Sequence, residues 1–293
     1  VVTVDEGRPY YLGNVTFAGN SVYTSEQLAR AFSYKEGDRY DAVGIGKKVS
    51  GSEKDDDIQT LYMDSGYLFA QVIPIEKNIQ NDTIDLEIKV HEGTQATINR
   101  VTIAGNTEAH DHILYRELRT QPGNLFSKSD IKRTMYELAA TNYLEPTQIV
   151  PDIQPNYENN TVDINWKVAP KSSSQVELQG GYGGGTFIGT LGLTFGNFSI
   201  ANIFNREAWK PVPMGDGQQL SLRAQAGYGY QNYSFSFVEP WIGGKRPTSL
   251  STSFYYSRYN FRDGSSSNLN GERTKLNILG ANVGISKLLT WPD

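Results

Sequence analysis

The sequence contains no cysteine, which excludes both disulfide frameworks and thiolate metal sites. No stretch approaches the ~20 continuous apolar residues of a membrane helix. No long basic run occurs and the formal net charge is −5, which argues against nucleic acid as the main partner. The opening residues, VVTVDEGRPY, lack the basic start, apolar run and small-residue cleavage site of a signal peptide. No serine–histidine–aspartate pattern, carboxylate pair or metal-ligand spacing stands out, so no catalytic residue, cofactor or metal is expected and the chain does not read as an enzyme. What is present is repetition. Later there is also a concentration of glycine and tyrosine: the stretches GGYGGGTF, GYGYQNY and SFYYSRYN all follow residue 178 and mark a boundary.

The hexapeptide VTFAGN at 15–20 returns as VTIAGN at 101–106, an offset of 86 (101 − 15). The same offset matches Leu28 to Leu114, Arg30 to Arg116 and Gly37 to Gly123. Farther on, NDTIDLEIKV at 81–90 answers NNTVDINWKV at 159–168, an offset of 78 (159 − 81). The first copy therefore carries eight additional residues (86 − 78), placed around GIGKKVSGSEKDDD. A pattern repeated in this way is one supersecondary unit used twice.

Each copy opens with an alternating strand that ends at Gly-Asn, a dipeptide tolerant of positive φ. A short helix follows, with Thr24 or Ser25 as its N-cap in the first copy and Asp111 in the second. A second helix ends at Gly66 or Asn142, the residue types that best accept a left-handed C-cap. Strands near 67–76 with 82–90, and 147–154 with 160–168, complete a β-α-α-β-β unit with helices on one sheet face. VTVDEG at 2–7 aligns with IKVHEG at 88–93, so residues 1–7 read as the last strand of a preceding copy.

These features resemble the POTRA (polypeptide-transport-associated) family: a V-x-[FI]-x-G-N strand end, a helix finishing L-Y-x-x-x-G-Y, and a last strand ending V-x-E-G. The first copy has all three, at 15–20, 61–67 and 90–93. The second departs, with Asn142 in place of the glycine and VAPK in place of V-x-E-G. That departure reads as the exit from the repeat array.

From about residue 174 the period changes to two. Val176 and Leu178 alternate with Gln175, Glu177 and Gln179, and similar segments run through 187–195, 220–228, 233–237, 250–256 and 279–285. One apolar face, one face of Ser, Gly, Thr, Gln and Arg, and aromatics near strand ends match a transmembrane β-barrel. A soluble β-sandwich also alternates, and solubility of 174–293 without detergent would favour it. Six strands fall short of the ~8 of a closed bacterial barrel, and an open edge cannot face lipid. Further strands are therefore expected beyond Asp293.

POTRA units joined to a barrel are similar to the outer-membrane assembly factors, BamA and its relatives. The implied fold class is α+β POTRA repeats followed by an antiparallel transmembrane β-barrel. The implied organisation is a preceding unit ending over 1–7, one unit over 8–93, a barrel-proximal unit over 94–171, and the start of the barrel over 172–293. The resemblance implies periplasmic POTRA units and unfolded β-barrel clients. It also implies accessory lipoproteins on the barrel-proximal unit, and contact with outer-membrane lipid. It further makes the first barrel strand, Val176, Glu177, Leu178, Gln179, Gly180, Gly181, Tyr182 and Gly183, one side of a lateral gate, a role its glycines suit because they weaken pairing. Clients are expected to add a strand to a free POTRA edge, with Phe69, Gln71, Ile73, Gln148 and Val150 as candidate positions and Pro74 and Pro151 limiting the pairing. With no nucleotide motif, the energy would come from client folding and burial. The competing readings are an exporter of the two-partner secretion type and a TamA-like translocation and assembly factor.

Three other stretches receive plainer readings. GGYGGGT at 180–186 lacks the Gly-Lys-Ser/Thr and following helix of a phosphate loop and reads as a strand end with a hairpin. His110, Asp111 and His112 fall where the first copy has Thr24, Ser25 and Glu26, so a solvated helix start is expected rather than a metal site. The acidic run EKDDD at 53–57 reads as a solvated surface insertion.

Overall fold

The computed structural model describes residues 8–141, 143–183, 186–243, 248–262 and 273–287. The copy fragment at 1–7, Asn142, Gly184, Gly185 and the end of the chain from 288 lie outside the described residues. Two compact units emerge: 1–104 with 117–137 and 150–167, and 105–116 with 138–149 and 168–293.

In the first repeat, β1 (Tyr11–Ala18) is followed by α1 (Ser25–Phe32), α2 (Ala42–Val49), α3 (Ile58–Asp64), β2 (Gln71–Gln80) and β3 (Thr83–His91). The sheet order is β1-β3-β2, with β1 parallel and β2 antiparallel to the central β3. Alternation on β3 buries Ile84, Leu86, Ile88 and Val90. Leu86, Ile88 and Val90 share a core with Leu28 and Phe32 of α1, Ile45 and Val49 of α2, and Ile58 and Tyr62 of α3. Fully burying each such side chain stabilises by about 1.5–3 kcal/mol, so this face carries the unit.

The second repeat supplies β4 (Thr97–Ala104), α4 (Asp111–Tyr115), α5 (Lys128–Ala140), β5 (Val150–Asn156) and β6 (Thr161–Lys167), with sheet order β4-β6-β5. One helix, α5, stands where the first copy has α2 and α3. The insertion has split that helix, and Asp57 restarts it as the N-cap of α3, accepting from the Thr60 backbone N–H at 2.8 Å. The acidic run is therefore not simply solvated. Asp57 is buried, and Asp55 lies 3.1 Å from Lys128 and 2.6 Å from Lys132 of α5. Burial raises the Asp55 carboxyl, but the two lysines outweigh it and hold it below its ordinary value.

The repeated Gly-Asn now has a physical account. Gly19 (φ +84) lies so close to the last strand that a Cβ would sit 2.3 Å from the Val90 carbonyl, and at Gly105 (φ +94) it would sit 2.1 Å from that of Val168. Only glycine fits both the dihedral and the approach. Asn20 then donates to the Tyr23 carbonyl at 2.9 Å, and Asn106 to that of Ala109 at 2.6 Å, leading the chain into the helix. Thr24 caps α1 in a full capping box with Gln27. The expectation for Asp111 is corrected by one residue: His110 is the N-cap of α4, without a side-chain cap bond, and Asp111 is the first helical position. At the end of α3, Gly66 (φ +92) donates to Met63 at 3.2 Å and Tyr67 to Tyr62 at 3.0 Å, a Schellman motif.

The remaining strands are β7 (Ser174–Gly183), β8 (Thr186–Phe198), β9 (Gln218–Gly227), β10 (Tyr230–Glu239), β11 (Thr248–Arg262) and β12 (Arg273–Lys287). They form one antiparallel sheet in sequence order. The registers align one apolar row across all six: Val176, Leu193, Leu222, Phe235, Phe254 and Ala281. The neighbouring row on the opposite face is Glu177, Gly192, Arg223, Ser234, Tyr255 and Gly280. An apolar and a polar face of this length match the lipid and lumen sides of a barrel wall.

Candidate functional site

Two kinds of strand edge are available among the described residues, those of the small sheets and those of the large sheet, β7 and β12. In the first repeat β2 is an edge strand, as is β5 in the second. Proline on an edge strand turns its nitrogen to the free side. With Pro74 opposite Ile88, alternation directs the backbone groups of Val72, Pro74 and Glu76 outward and those of Gln71 and Ile73 toward β3. On β5, Pro151 and Pro155 share one parity, so Ile153 between them offers the one outward N–H of those three positions, while Val150 pairs inward with Lys167. Strand addition is therefore more strongly blunted on β5 than on β2.

Phe69 and Gln148 are not on strands. Phe69 lies in a turn closed by the Ala70 N–H on the Tyr67 carbonyl (3.1 Å), and its ring packs on Tyr157 at 4.7 Å. Gln148 ends a one-turn 3-10 helix opened by Pro146. Both strands accordingly begin later than the alternation suggested. Ile73 and Val150 remain exposed side chains, at 44% and 51%. The other edge, β1, is partly closed by its own loop: Leu12 donates to the Asp38 carbonyl and accepts from the Gly37 N–H, both at 2.8 Å.

The first strand of the large sheet, β7, pairs with β8 on one side and has no strand partner on the other among the described residues. Val176, Leu178 and Tyr182 point outward, each at least three-quarters exposed. On the opposite face Glu177 reaches across β8 to Arg223 on β9, 2.6 Å away. Gly192 stands between them in register, and a Cβ there would lie 3.0 Å from the Glu177 carboxylate. The absent side chain is what lets the charges meet. Gly180 likewise lies under the Phe187 ring, while Gly181 has open space above it.

At the end where the chain enters β7, residues 105–116 engage the connection between β8 and β9. Asn197, fully buried, donates to the Glu108 carbonyl at 3.0 Å and accepts from the Gly217 N–H at 2.9 Å. The His110 N–H donates to Gly215 at 2.9 Å, and its ring lies 2.8 Å from Asp216. Arg116 stacks over Trp241 at 5.0 Å. The first repeat holds the matching loop differently, through Glu92 of its V-x-E-G end. That carboxylate accepts from the Ser21 N–H (2.7 Å), the Ser21 hydroxyl, the Val22 N–H (2.8 Å) and the Tyr62 hydroxyl (2.9 Å). Pro170 occupies the equivalent position in the second copy, so the loop there takes its partners from the strand sheet. Gly192, Arg223, Asn197 and Asp216 carried no local sequence signal, because register and long-range contact bring them into place; Glu92 was visible as the glutamate of V-x-E-G, but its partners were not. His110 and His112 stack at 5.7 Å, and the described residues contain no metal-competent cluster of acidic, histidine and cysteine side chains.

The POTRA model (surface antigen variable number repeat) matches residues 10–93 and 96–171, more than half of the chain. The chain belongs to the POTRA family. An Omp85 superfamily domain model matches residues 214–290. The chain is similar to the outer membrane protein assembly factor BamA of Nitratidesulfovibrio vulgaris, 27% identical over 89% of this chain and 31% of that protein. It is also similar to BamA of Neisseria meningitidis serogroup B, 24% identical over 82% of this chain and 28% of that protein. Among solved structures, BamA from Haemophilus ducreyi lacking POTRA domains 1–3 superposes with a TM-score of 0.70, at 20% identity over 94% of this chain and 47% of that one. The chain thus spans less than a third of the length of these curated relatives. The two POTRA units and the antiparallel sheet share the fold of that BamA structure.

Proposed function

We propose that this chain is the barrel-proximal part of an outer-membrane protein assembly factor of the BamA type, without catalytic chemistry of its own. In this reading the POTRA units lie in the periplasm and the six-stranded sheet forms one side of a barrel in the outer membrane. Unfolded β-barrel clients meet the POTRA units by strand addition. The β2 edge is the better acceptor, since Val72 and Glu76 keep outward N–H groups where β5 has prolines. Accessory lipoproteins bind the second POTRA unit. The β7 strand, paired on one side and containing Gly180, Gly181 and Gly183, is the movable side of a lateral gate that templates client hairpins into lipid.

The observation that carries this reading is the direct joining of two POTRA units to a sheet with one apolar and one polar row across all six strands. Depletion of the full-length protein in its host tests it. Many outer-membrane proteins should fall together in a membrane proteome. Loss of one exported polypeptide with the others unchanged would instead identify a two-partner exporter and overturn the proposal.

A further inference from the structure

Outer-membrane barrels keep short turns on the periplasmic side and put their long loops on the other. Here the arrangement differs. Ser174, where the chain enters β7 from the second repeat, is paired with Phe195 near the end of β8, so residues 199–217 connect β8 to β9 on the repeat-bearing side. At the far end, β9 turns into β10 through Tyr228 and Gly229 alone.

The long connection is held by its own bonds. Asn202 donates to the Met214 carbonyl at 2.8 Å, and Met214 donates to Ala208 at 3.0 Å. The Trp209 ring N–H donates to the Ile203 carbonyl at 3.2 Å, and Ile200 donates to the Gln218 side chain at 2.8 Å. Yet this ordered segment turns its apolar side chains out: Phe204 is 96% exposed, and Ile200, Ile203 and Trp209 are also exposed. Arg206 and Lys210 stand among them, with Glu207 the one acidic residue of 200–210. At its root the Phe198 ring meets Phe237 edge-on at 6.3 Å, and Phe237 belongs to the apolar face of β10. The exposed patch is therefore rooted on the apolar side of the sheet, at the strand ends.

Aromatic and aliphatic side chains interleaved with basic ones, at the edge of an apolar band, have the chemistry of the bilayer interface. We propose that residues 200–210 are a membrane-interface anchor. Ile203, Phe204 and Trp209 enter the leaflet on the POTRA side, and Arg206 and Lys210 meet lipid phosphates there. The inference rests on the outer-membrane barrel reading. It gives the barrel a fixed footing beside the gate strand, since β8 carries both the connection and β7.

The test uses the full-length protein in vesicles of phosphatidylethanolamine and phosphatidylglycerol. Phe204→Cys provides a thiol in a segment with no native cysteine, and an environment-sensitive dye on it reports the local polarity. Leu222→Cys, on the apolar row, is the barrel control. The anchor requires blue-shifted emission at position 204, quenched at least about twofold more by shallow than by deep spin-labelled lipid. Water-like emission at 204 with a quenched label at 222 overturns the anchor and leaves the barrel reading intact. Water-like emission at both sites overturns both. Shielding of 204 that needs an added periplasmic protein rather than lipid also overturns the anchor, in favour of a protein-docking loop.

Discussion

Replacing Glu92 with alanine isolates what the V-x-E-G ending does in a POTRA unit. The substitution removes four hydrogen bonds to one carboxylate, but they are not equal. The Ser21 and Val22 donors are exposed and can turn to water, so each costs little. Tyr62 is fully buried at the centre of the α3 face, and its hydroxyl would lose its acceptor, a loss worth about 1–3 kcal/mol. With a smaller share from the exposed donors, Glu92→Ala should destabilise the first unit by about 2–3 kcal/mol. Hydrogen exchange of the β3 amides in the full-length chain should then accelerate by roughly 30- to 140-fold. Burial alone raises the Glu92 carboxyl, but the donors from Ser21, Val22 and Tyr62 outweigh it and hold its folded-state value below the ordinary one. The stabilisation is therefore complete above the ordinary carboxylate range and is lost as pH falls through the depressed folded value. Glu92→Gln should remove that acid sensitivity. Acceleration below about threefold, less than 1 kcal/mol, or an unchanged acid profile in Glu92→Gln would refute the reasoning.

Two further outcomes follow from close approaches in the sheets. The Glu177–Arg223 pair is partly exposed, so it is worth at most about 1 kcal/mol; Glu177→Gln should speed exchange of the β7 amides by up to about fivefold. The double exchange Glu177→Arg with Arg223→Glu should restore protection, and a failure to restore it would show that the carboxylate acts alone. Gly105→Ala should cost at least about 2 kcal/mol, because it combines a left-handed dihedral with backbone overlap. Gly123→Ala, with φ +92 and open space around it, should cost only about 1 kcal/mol. Urea denaturation followed by the buried Trp166 compares the two.

Much of the architecture was legible because it is written in local chemistry. The paired Gly-Asn positions announce a backbone that must turn left-handed, and Thr24 with Gln27 announces a helix start. Period-two alternation gave all six strands of the large sheet, since side chains on a strand must take opposite faces. The free edges were only half legible. Pro74 and Pro151 were visible as limits, but which neighbouring backbone groups face outward depends on the pairing with β3 and β6. Phe69 and Gln148 were misplaced because a hydrogen-bonded turn and a proline-led 3-10 turn delay the strands.

The sequence by itself determined that one unit is used twice and then abandoned for a two-faced sheet. These outcomes follow from dihedral preference, capping and periodicity, which act within a few residues. Only the tertiary structure decided that Asp57 is buried at a restarted helix and that Glu92 closes onto Tyr62. It also decided that Asn197 takes over the second loop and that Glu177 meets Arg223 across a side-chain-free Gly192. Each of these depends on register between segments far apart in the chain, and register is set by how whole faces pack rather than by any neighbouring letters.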